Sequence, residues 1–496
     1  MALAAPLLTG LLLAQPAAQA AQGDAGPAVR PSKPGLSTRS LLLGGGAPGG
    51  DIGPFEIQLS NLSTAFIERL APSADVGPLF PPGIGGTALV LRLFVVDTGR
   101  EELFTLFVPS TPPGVSRPLL TCFHGANVSH LDIFFNTTYL QEADARGWFL
   151  IAPLQREQNP YGQLNYASAD SQFHVEAVIA FVLRFYDIDL DRLYGVGFSM
   201  GGGSAMSFAA RHRDRATGAF AAVVNHTGSV ALSDVYAKQA SVQTAMETIF
   251  GGTPTTAAFE YQRSSVVELD AAGVLLPSGR HMARNLEHVP VRTVYGLGDS
   301  LTYLVDQCVQ LDSYMQTLPQ ATHQLFALGV PTICAPQSHC WETLNETAAC
   351  DFLDAQTLRS APQAGGYLID RDDVVWGRFR VEATLQGQFA SMEYEADPAA
   401  NEIRVDQTSN LDTLRFDVRD FGLDPALPLT LRTGTIDLTR DVIELEGFAA
   451  APTMVTIGAG TPVVESCTTP GLTSWCYQGG VLTLNDVGGG AVWNIQ

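Results

Sequence analysis

Lysine is nearly absent from this chain of 496 residues, and positive charge of any kind is scarce. The only lysines are Lys33 and Lys238, and 28 basic residues face 50 acidic ones, which gives a formal net charge of −22. A surface of this sign repels nucleic acid and anionic lipid. The charge therefore argues against both classes of partner, and the scattered acidic residues indicate a soluble surface.

Long apolar runs are also scarce. The first twenty residues contain one, MALAAPLLTGLLLAQPAAQA, which ends on the small-x-small sequence Ala18-Gln19-Ala20, typical of a cleavage site. No later stretch supplies the roughly 18 apolar residues that a membrane-spanning helix needs. We therefore predict a signal peptide over residues 1–20 and a secreted mature chain, extracellular or periplasmic, without membrane insertion. An apolar N-terminal anchor is the alternative, because no Lys or Arg precedes the run.

Metal-binding patterns are missing from the cysteines and histidines. No C-x-x-C occurs, and no pair of histidines at ligand spacing lies beside a carboxylate, so no metal site is predicted. In an exported protein, cysteines more often form disulfides, and the odd number of seven leaves at least one unpaired.

What is present is a change of pattern along the chain. Residues 21–50 are rich in Pro, Gly, Ala and Ser, which predicts a flexible linker. From Ala88 two strand-like runs flank the turn Asp97-Thr98-Gly99, and then apolar strands such as RPLLTCFHG alternate with amphipathic helices such as SQFHVEAVIAFVLRFYD. These strands are too continuously apolar to leave one face in water. We predict an α/β domain over residues 51–362, with a mostly parallel sheet and helices on both faces.

Two segments depart from this alternation. Residues 228–286 form a polar, helix-tending excursion, which is either a lid over a site or a packed side insertion. After Gly365 helical periodicity stops, and short alternating runs such as RFRVEATLQG and NEIRVDQTS follow, separated by turn residues. We predict a smaller, all-β antiparallel sandwich domain over residues 366–496.

One serine stands at the end of a predicted strand, in YGVGFSMGGGSAM. Gly197-Phe198-Ser199-Met200-Gly201 fits G-x-S-x-G, in which a sharp strand-to-helix turn exposes a serine hydroxyl above a helix N-terminus. The turn crowds its own backbone, and both flanking positions are glycine. Ser199 is therefore the candidate nucleophile, and the Met200 N–H is a candidate donor to an oxyanion.

A second oxyanion donor is expected from the loop after an earlier strand. The segment FHGAN, residues 123–127, follows the strand RPLLTC at that place. We assign the donor to the Ala126 N–H, with Gly125 and Asn127 as neighbouring alternatives. We expect His124, Gly125 and Asn127 to border the substrate, and a buried His124 bonded to backbone is compatible with this arrangement.

The serine needs a base, and the base needs an orienting carboxylate, in the chain order Ser, acid, His. Asp299 follows the strand VPVRTVY at the edge where sites form in open parallel sheets, and Asp306 is the alternative acid. His339, in CAPQSHCWETL, lies in a loop after the last long strand and is the predicted base. The earlier histidines lie within helices or strands or precede the acid.

Taken together, these motifs resemble the α/β-hydrolase superfamily, and within it secreted esterases such as polyhydroxybutyrate depolymerases and feruloyl esterases. The resemblance covers roughly residues 88–342 and rests on FHGA, YDIDLDRLYGVGFSMGGG, GLGD and HCW. It implies a triad of Ser199, Asp299 and His339, an oxyanion hole, and no cofactor. Two residues depart from the family pattern: Gly195, where a β-branched residue is usual, and Ala126, where depolymerases tend to have cysteine.

The cysteines fit a secreted enzyme of this kind. Cys340 adjoins the predicted base and Cys308 follows the predicted acid, so a bridge between them would tie the two loops together. The other predicted pairs are Cys334 with Cys350 and Cys467 with Cys476. Buried free thiols are the alternative.

The sequence thus predicts a secreted serine esterase acting on small or polymeric esters, with Trp341 and Phe198 beside the acyl or aromatic part of the substrate. Its sandwich would hold a polymer, contact a cell surface or only cover the catalytic domain. A serine exopeptidase or other peptidase of the superfamily and a non-catalytic binding protein are the alternatives. A dehydrogenase is disfavoured, because a dinucleotide fingerprint beginning at Gly195 needs glycine where Met200 stands.

Overall fold

The structure is a computed structural model that describes most of the chain from residue 55 to the C-terminus. The described residues are 55–58, 64–72, 83–96, 98–110, 114–155, 164–277, 279–329, 331, 334, 338–359, 362–371, 374–383, 385–434, 442–467, 473–485 and 490–496. The predicted signal peptide (1–20) and linker (21–50) lie outside them.

A ten-stranded sheet forms the centre of the α/β part. Its strands are β1 (Phe55–Gln58), β2 (Thr64–Pro72), β3 (Thr87–Val95), β4 (Arg100–Val108), β5 (Arg117–Phe123), β6 (Phe149–Pro153), β7 (Ile188–Phe198), β8 (Ala222–His226), β9 (Val291–Leu297) and β10 (His323–Gly329). Their order is β1-β2-β3-β4-β6-β5-β7-β8-β9-β10. Strands β1 to β4 pair antiparallel with one another, and β4 pairs antiparallel with β6. The neighbours in the order β6-β5-β7-β8-β9-β10 all pair in parallel, as predicted for the centre of the sheet. The short edge strand β1 and the nine-residue strand β2 next to it are additions that the sequence pattern did not predict.

Helices cover both faces of this sheet. They are α1 (Asp132–Asn136), α2 (Tyr139–Arg146), α3 (Ala169–Phe185), α4 (Met200–Arg211), α5 (Leu232–Lys238), α6 (Gln243–Phe250), α7 (Ala258–Ser264), α8 (Thr302–Met315) and α9 (Glu346–Asp354). Short 3₁₀ turns span Ala240–Val242, Met282–Leu286, Trp341–Thr343 and Val418–Phe421. Leu119 of β5 packs with α3 and α4, whereas its neighbour Leu120 packs with α2 and α9. Both faces of the strand are therefore buried, which explains its continuous apolar sequence.

No helix in the described part of the chain has the length and apolar character needed to cross a membrane.

The C-terminal residues form two further sheets. One has the order β11-β14-β15-β17-β23-β19-β20 and the other β12-β13-β16-β18-β22-β21, with the bounds β11 (Ala364–Ile369), β12 (Val374–Trp376), β13 (Phe379–Ala383), β14 (Ala390–Asp397), β15 (Glu402–Ser409), β16 (Leu411–Asp417), β17 (Leu429–Thr433), β18 (Val442–Glu446), β19 (Val455–Ile457), β20 (Thr461–Pro462), β21 (Ser474–Gln478), β22 (Val481–Asn485) and β23 (Val492–Ile495). The rings of Phe379 and Tyr394, one from each sheet, meet at 4.8 Å between centroids. The pairing is mostly antiparallel, but β15 with β17 and β16 with β18 are parallel. In each pair the chain crosses to the other sheet between the two strands, so the second strand returns in the direction of the first.

The disulfide predictions are partly wrong. The bridges are Cys334–Cys340 and Cys467–Cys476, so the predicted pair Cys467–Cys476 is confirmed. The predicted bridges Cys308–Cys340 and Cys334–Cys350 do not form. Cys308 is fully buried in α8, where burial raises the pKa of its thiol to about 12, and Cys350 is buried in the apolar cluster around α9. Both are held in cores away from the surface loop that carries Cys340. Cys122 is also a free, buried thiol.

Candidate active site

Ser199 occupies the sharp turn between β7 and α4. Its φ of 58° lies in the left-handed region, which is unfavourable for a residue with a side chain. The turn is held by the neighbouring strand end, because the Ser199 N–H donates to His226 O at 2.9 Å. The Ser199 carbonyl accepts from the N–H groups of Gly202 at 3.0 Å and Ser229 at 3.1 Å. The serine is thus fixed at the C-terminal edge of the sheet.

The glycines on either side of the serine are required by close backbone approach. A Cβ on Gly197 would lie 2.1 Å from Gly201 O, and one on Gly201 would lie 2.1 Å from Phe123 O. Neither position has room for a side chain. The predicted reason for the G-x-S-x-G spacing therefore matches the packing around the turn.

Asp299 and His339 meet at the same edge of the sheet. Asp299, which follows β9 and is 3% exposed, lies with Oδ2 2.8 Å from His339 Nδ1. Its Oδ1 accepts from the Leu301 N–H at 2.9 Å, so both carboxylate oxygens are engaged. The contact fixes the tautomer with the proton on Nδ1. His339 Nε2 is then an acceptor, and it is buried without a hydrogen-bond partner among the described residues.

A hydrogen bond directly joins the loop that carries the predicted acid Asp299 (the acid loop) to the loop that carries the predicted base His339 (the base loop). Ser338 Oγ donates to Gly298 O at 2.6 Å, and Ser338 itself has a φ of 50°. The Cys334–Cys340 bridge closes the base loop on itself. This combination performs the task that was predicted for a bridge between Cys308 and Cys340. The alternative acid, Asp306, is exposed on α8.

Aromatic rings surround the imidazole of His339. The ring of Phe198 lies 4.5 Å from that of His339 and 5.0 Å from that of Trp341. His226 packs against Phe198 at 4.8 Å, and burial, with a smaller effect from His339, lowers the pKa of His226 to about 3. His226 is therefore neutral at neutral pH.

A cavity of about 550 Å³ opens over the turn at Ser199. The predicted site residues on its wall are Ser199, His339, Gly125, Ala126, Asn127, Met200 and Trp341. Neither the Ala126 N–H nor the Met200 N–H donates to an acceptor among the described residues, and both residues border the cavity. Asp299 lies behind His339 and outside the cavity wall.

His124 does not reach the cavity. It is fully buried, with Nε2 2.8 Å from Leu154 O and Nδ1 2.7 Å from Gly125 O, and burial lowers its pKa. A neutral imidazole can donate to only one of these carbonyl oxygens. The side chain thus contacts the backbone of residues 123–127, the predicted oxyanion loop, and of Leu154. The predicted substrate contact of His124 is not formed by its ring.

Several wall residues were not identified from the sequence. Asp132 and Asn136 come from α1, Tyr166 and Tyr303 from other loops and helices. The insertion 228–286 supplies Val235, Gln239, Ser241 and Val242 to this wall, and its role as a lid or as a packed side insertion stays a prediction. A second cleft, of about 330 Å³ and lined by Arg284, Glu393 and Arg404 among others, contains none of the predicted site residues.

Potential metal ligands cluster at one place in the described part of the chain. The group consists of Cys334, Cys340 and Glu342. The two sulfurs are joined to each other, and a metal ligand must be a free thiolate. The two cysteines therefore form a covalent link within the base loop and do not serve as metal ligands.

Comparison with known proteins finds no matching family model and no matching curated protein. Similar solved structures include an S-formylglutathione hydrolase from Agrobacterium tumefaciens, with 17% identity over 50% of this chain and 87% of that one and a TM-score of 0.37. An acetyl xylan esterase from Paenibacillus sp. R4 has 14% identity over 58% and 88% of the two chains, with a TM-score of 0.39. An acylaminoacyl peptidase from Pyrococcus horikoshii has 13% identity over 63% and 50%, with a TM-score of 0.42.

The strand order and the turn at Ser199 define the fold independently of the similarity to these solved structures. Strands β3 to β10 form a mostly parallel sheet between two layers of helices, with the serine turn after β7 and acid and base loops after later strands. A strand–turn–helix of this kind at the top of such a sheet is the nucleophile elbow. The α/β part of the chain therefore has the fold of the α/β-hydrolase superfamily.

Proposed function

We propose that the protein is a secreted serine hydrolase that cleaves carboxylic esters through an acyl-enzyme. Ser199 Oγ attacks the acyl carbon while His339 Nε2 takes its proton, and Asp299 holds the imidazole and stabilises the imidazolium. The N–H groups of Ala126 and Met200 donate to the oxyanion. His339 then protonates the leaving alcohol, and water releases the acyl group by the same steps. No cofactor takes part.

The observation that carries this proposal is the state of the two nitrogens of His339. Nδ1 is bonded to a buried carboxylate, and Nε2 is buried with no hydrogen-bond partner among the described residues, while His339 lines the same cavity as Ser199. An imidazole held in this way is prepared to accept one proton from the cavity side. In hydrolases at rest the bond between base and serine is often long, and it shortens when substrate binds.

The substrate in this proposal is a small ester or the end of a polyester chain. A volume of about 550 Å³ suits one acyl group with its alcohol, and the wall combines apolar side chains with a few polar ones. A panel of short p-nitrophenyl esters, a feruloylated sugar and polyhydroxybutyrate would assign the acyl group.

The test is Ser199→Ala with p-nitrophenyl butyrate as substrate. We expect kcat/KM to fall by on the order of 10³-fold or more, since the nucleophile is lost. A fluorophosphonate should label wild-type protein on the peptide that contains Ser199 and should not label the variant. Ser313→Ala, which changes an exposed serine of α8 that does not line the cavity, is the matched control and should keep both activity and labelling. Wild-type turnover in Ser199→Ala would identify another nucleophile.

The peptidase alternative is separated in the same assay. Wild-type protein that cleaves aminoacyl p-nitroanilides at a higher kcat/KM than the esters would be a peptidase that uses the same residues. Protein that cleaves neither substrate and resists labelling would be a binding protein.

A further inference from the structure

The C-terminal sheets contribute one carboxylate that lies deep against the α/β part. Asp370 directly follows β11, and its side chain is fully buried. Its Oδ2 accepts from Arg211 Nη2 at 2.7 Å and from Arg263 Nε at 2.9 Å. Arg211 is the last residue of the nucleophile helix α4, and Arg263 belongs to α7 in the insertion. One oxygen atom therefore joins three separate parts of the chain.

This cluster is charged at neutral pH. Burial alone would raise the pKa of Asp370, but Arg211, Arg263 and Arg371 together outweigh it, and the pKa lies below its ordinary value. Burial lowers the pKa of Arg211 to about 10, which leaves the guanidinium protonated. Charges buried in this way need each other as partners, so the carboxylate fixes the position of Arg263.

Helix α7 in turn positions the helices that reach the cavity. Tyr261 of α7 is buried, with its ring 4.4 Å from that of Phe250 in α6 and 5.9 Å from that of Tyr236 in α5. Ser265, next after α7, accepts a hydrogen bond from Leu232 N at the start of α5 at 2.9 Å. A shift of α7 would therefore carry α5 and α6 with it.

Those helices and the turn between them form one wall of the cavity. The residues of this insertion wall are Val235, Gln239, Ser241 and Val242. Val235 and Val242 pack in one apolar cluster with Met200, whereas Trp341 belongs to a different cluster. In the proposed mechanism the leaving alcohol must lie beside His339, which protonates it. The side of the cavity next to Met200 and the insertion wall is then left for the acyl chain.

We propose that Asp370 is a positioning residue that, by holding Arg263, fixes the insertion wall and sets which acyl chains the cavity accepts. The inference rests on the proposed ester hydrolysis. It gives the C-terminal sheets a part in substrate choice that is exerted inside the molecule, through one ion cluster.

The kinetic test is Arg263→Gln, which cuts the link to the insertion and leaves the bond between Asp370 and Arg211. We expect KM for p-nitrophenyl octanoate to rise by about fivefold or more, while kcat and KM for p-nitrophenyl acetate stay within about twofold. Glu393→Gln is the matched control, because it breaks another ion pair of the C-terminal sheets, with Arg284, that does not involve α5 to α7. It should change neither ester. An equal fall in kcat for both esters, or no change for octanoate, overturns the proposal.

Amide hydrogen exchange tests the same link without any substrate. Peptides covering residues 232–250 should exchange faster in Arg263→Gln and Asp370→Asn than in wild type or Glu393→Gln, while peptides from β5 and β7 should stay protected. Unchanged exchange over 232–250 overturns the positioning role even if the protein is an esterase. Faster exchange in a protein that cleaves no ester would refute the proposed function and keep the structural link.

Discussion

A hydrogen bond between two buried side chains joins the base loop to the helix after the oxyanion loop. Trp341 Nε1 donates to Asp132 Oδ2 at 2.7 Å, and Asn136 Nδ2 donates to the other oxygen. Since Trp341 lies two residues after His339 and packs on Phe198, this bond limits how far the imidazole can move away from the serine. The polar end of the indole thus has a structural duty in addition to the packing of its ring.

Trp341→Phe keeps an aromatic ring and removes this bond, together with part of the packing of the larger indole. Loss of one hydrogen bond to a buried carboxylate should lower kcat/KM for p-nitrophenyl butyrate by about tenfold, which corresponds to about 1.4 kcal/mol. Phe135→Ser is the control, because the Phe135 ring is 66% exposed on the same helix as Asp132, and its loss should leave kcat/KM within about twofold. Full activity in Trp341→Phe would show that the bond does not hold His339.

At the scale of elements, the strand that carries the serine departs from the family pattern at Gly195, and its packing gives the reason. A Cβ at Gly195 would lie 2.6 Å from Phe220 Cε2. Phe220 is fully buried and packs against Phe208 of α4 at 5.0 Å. The phenyl ring thus fills the space that a β-branched side chain on β7 would otherwise occupy. The glycine thus leaves room for Phe220, which packs in turn against Phe208 of α4.

Gly195→Ala should therefore destabilise the fold through a clash with one ring. We expect a loss of about 1–3 kcal/mol in the free energy of unfolding, and about 1 kcal/mol for Phe220→Leu alone. The double variant should lose clearly less than the sum of the two, because the smaller side chain makes room for the new methyl group. Urea denaturation of the four proteins completes the cycle. Additive losses would mean that the clash is relieved elsewhere.

At the scale of elements, some features of the site could be predicted from the sequence and others could not. The positions of Ser199, Asp299 and His339 after strand ends could be predicted, because each is marked by a local pattern, and their catalytic roles stay predictions. The partner of Cys340 could not be predicted, since Cys308 is equally near the site along the chain but is buried in α8. Asp132 was missed for the same reason, because its partner Trp341 lies 209 residues away. Local patterns fix the turns, while the meeting of distant side chains depends on packing.

For the molecule as a whole, buried histidines make stability depend on pH. Burial lowers the pKa of His130 to about 4, with a smaller effect from His124, and that of His226 to about 3. Both ring nitrogens of His130 lack a hydrogen-bond partner among the described residues, so no carboxylate compensates a charge there. An unfolded histidine has a pKa near 6.5. Between about pH 6.5 and 4 these histidines are therefore protonated in the unfolded chain and not in the folded chain. The free energy of unfolding falls as the pH falls through this interval.

Lowering the pH from 7 to 5 should accordingly reduce the free energy of unfolding by about 1–2 kcal/mol for each of these two histidines. His130→Phe removes one titrating group, so its loss over this interval should be smaller than that of wild type by about 1–2 kcal/mol, whatever its stability at pH 7. Ile133→Val, a buried change three residues away that adds no titrating group, should lower stability equally at both pH values. Urea denaturation at pH 7 and pH 5 measures all three proteins. If His130→Phe lost as much stability as wild type, His130 would have to be protonated in the folded chain already at pH 5, and the burial that lowers its pKa would not be maintained in solution.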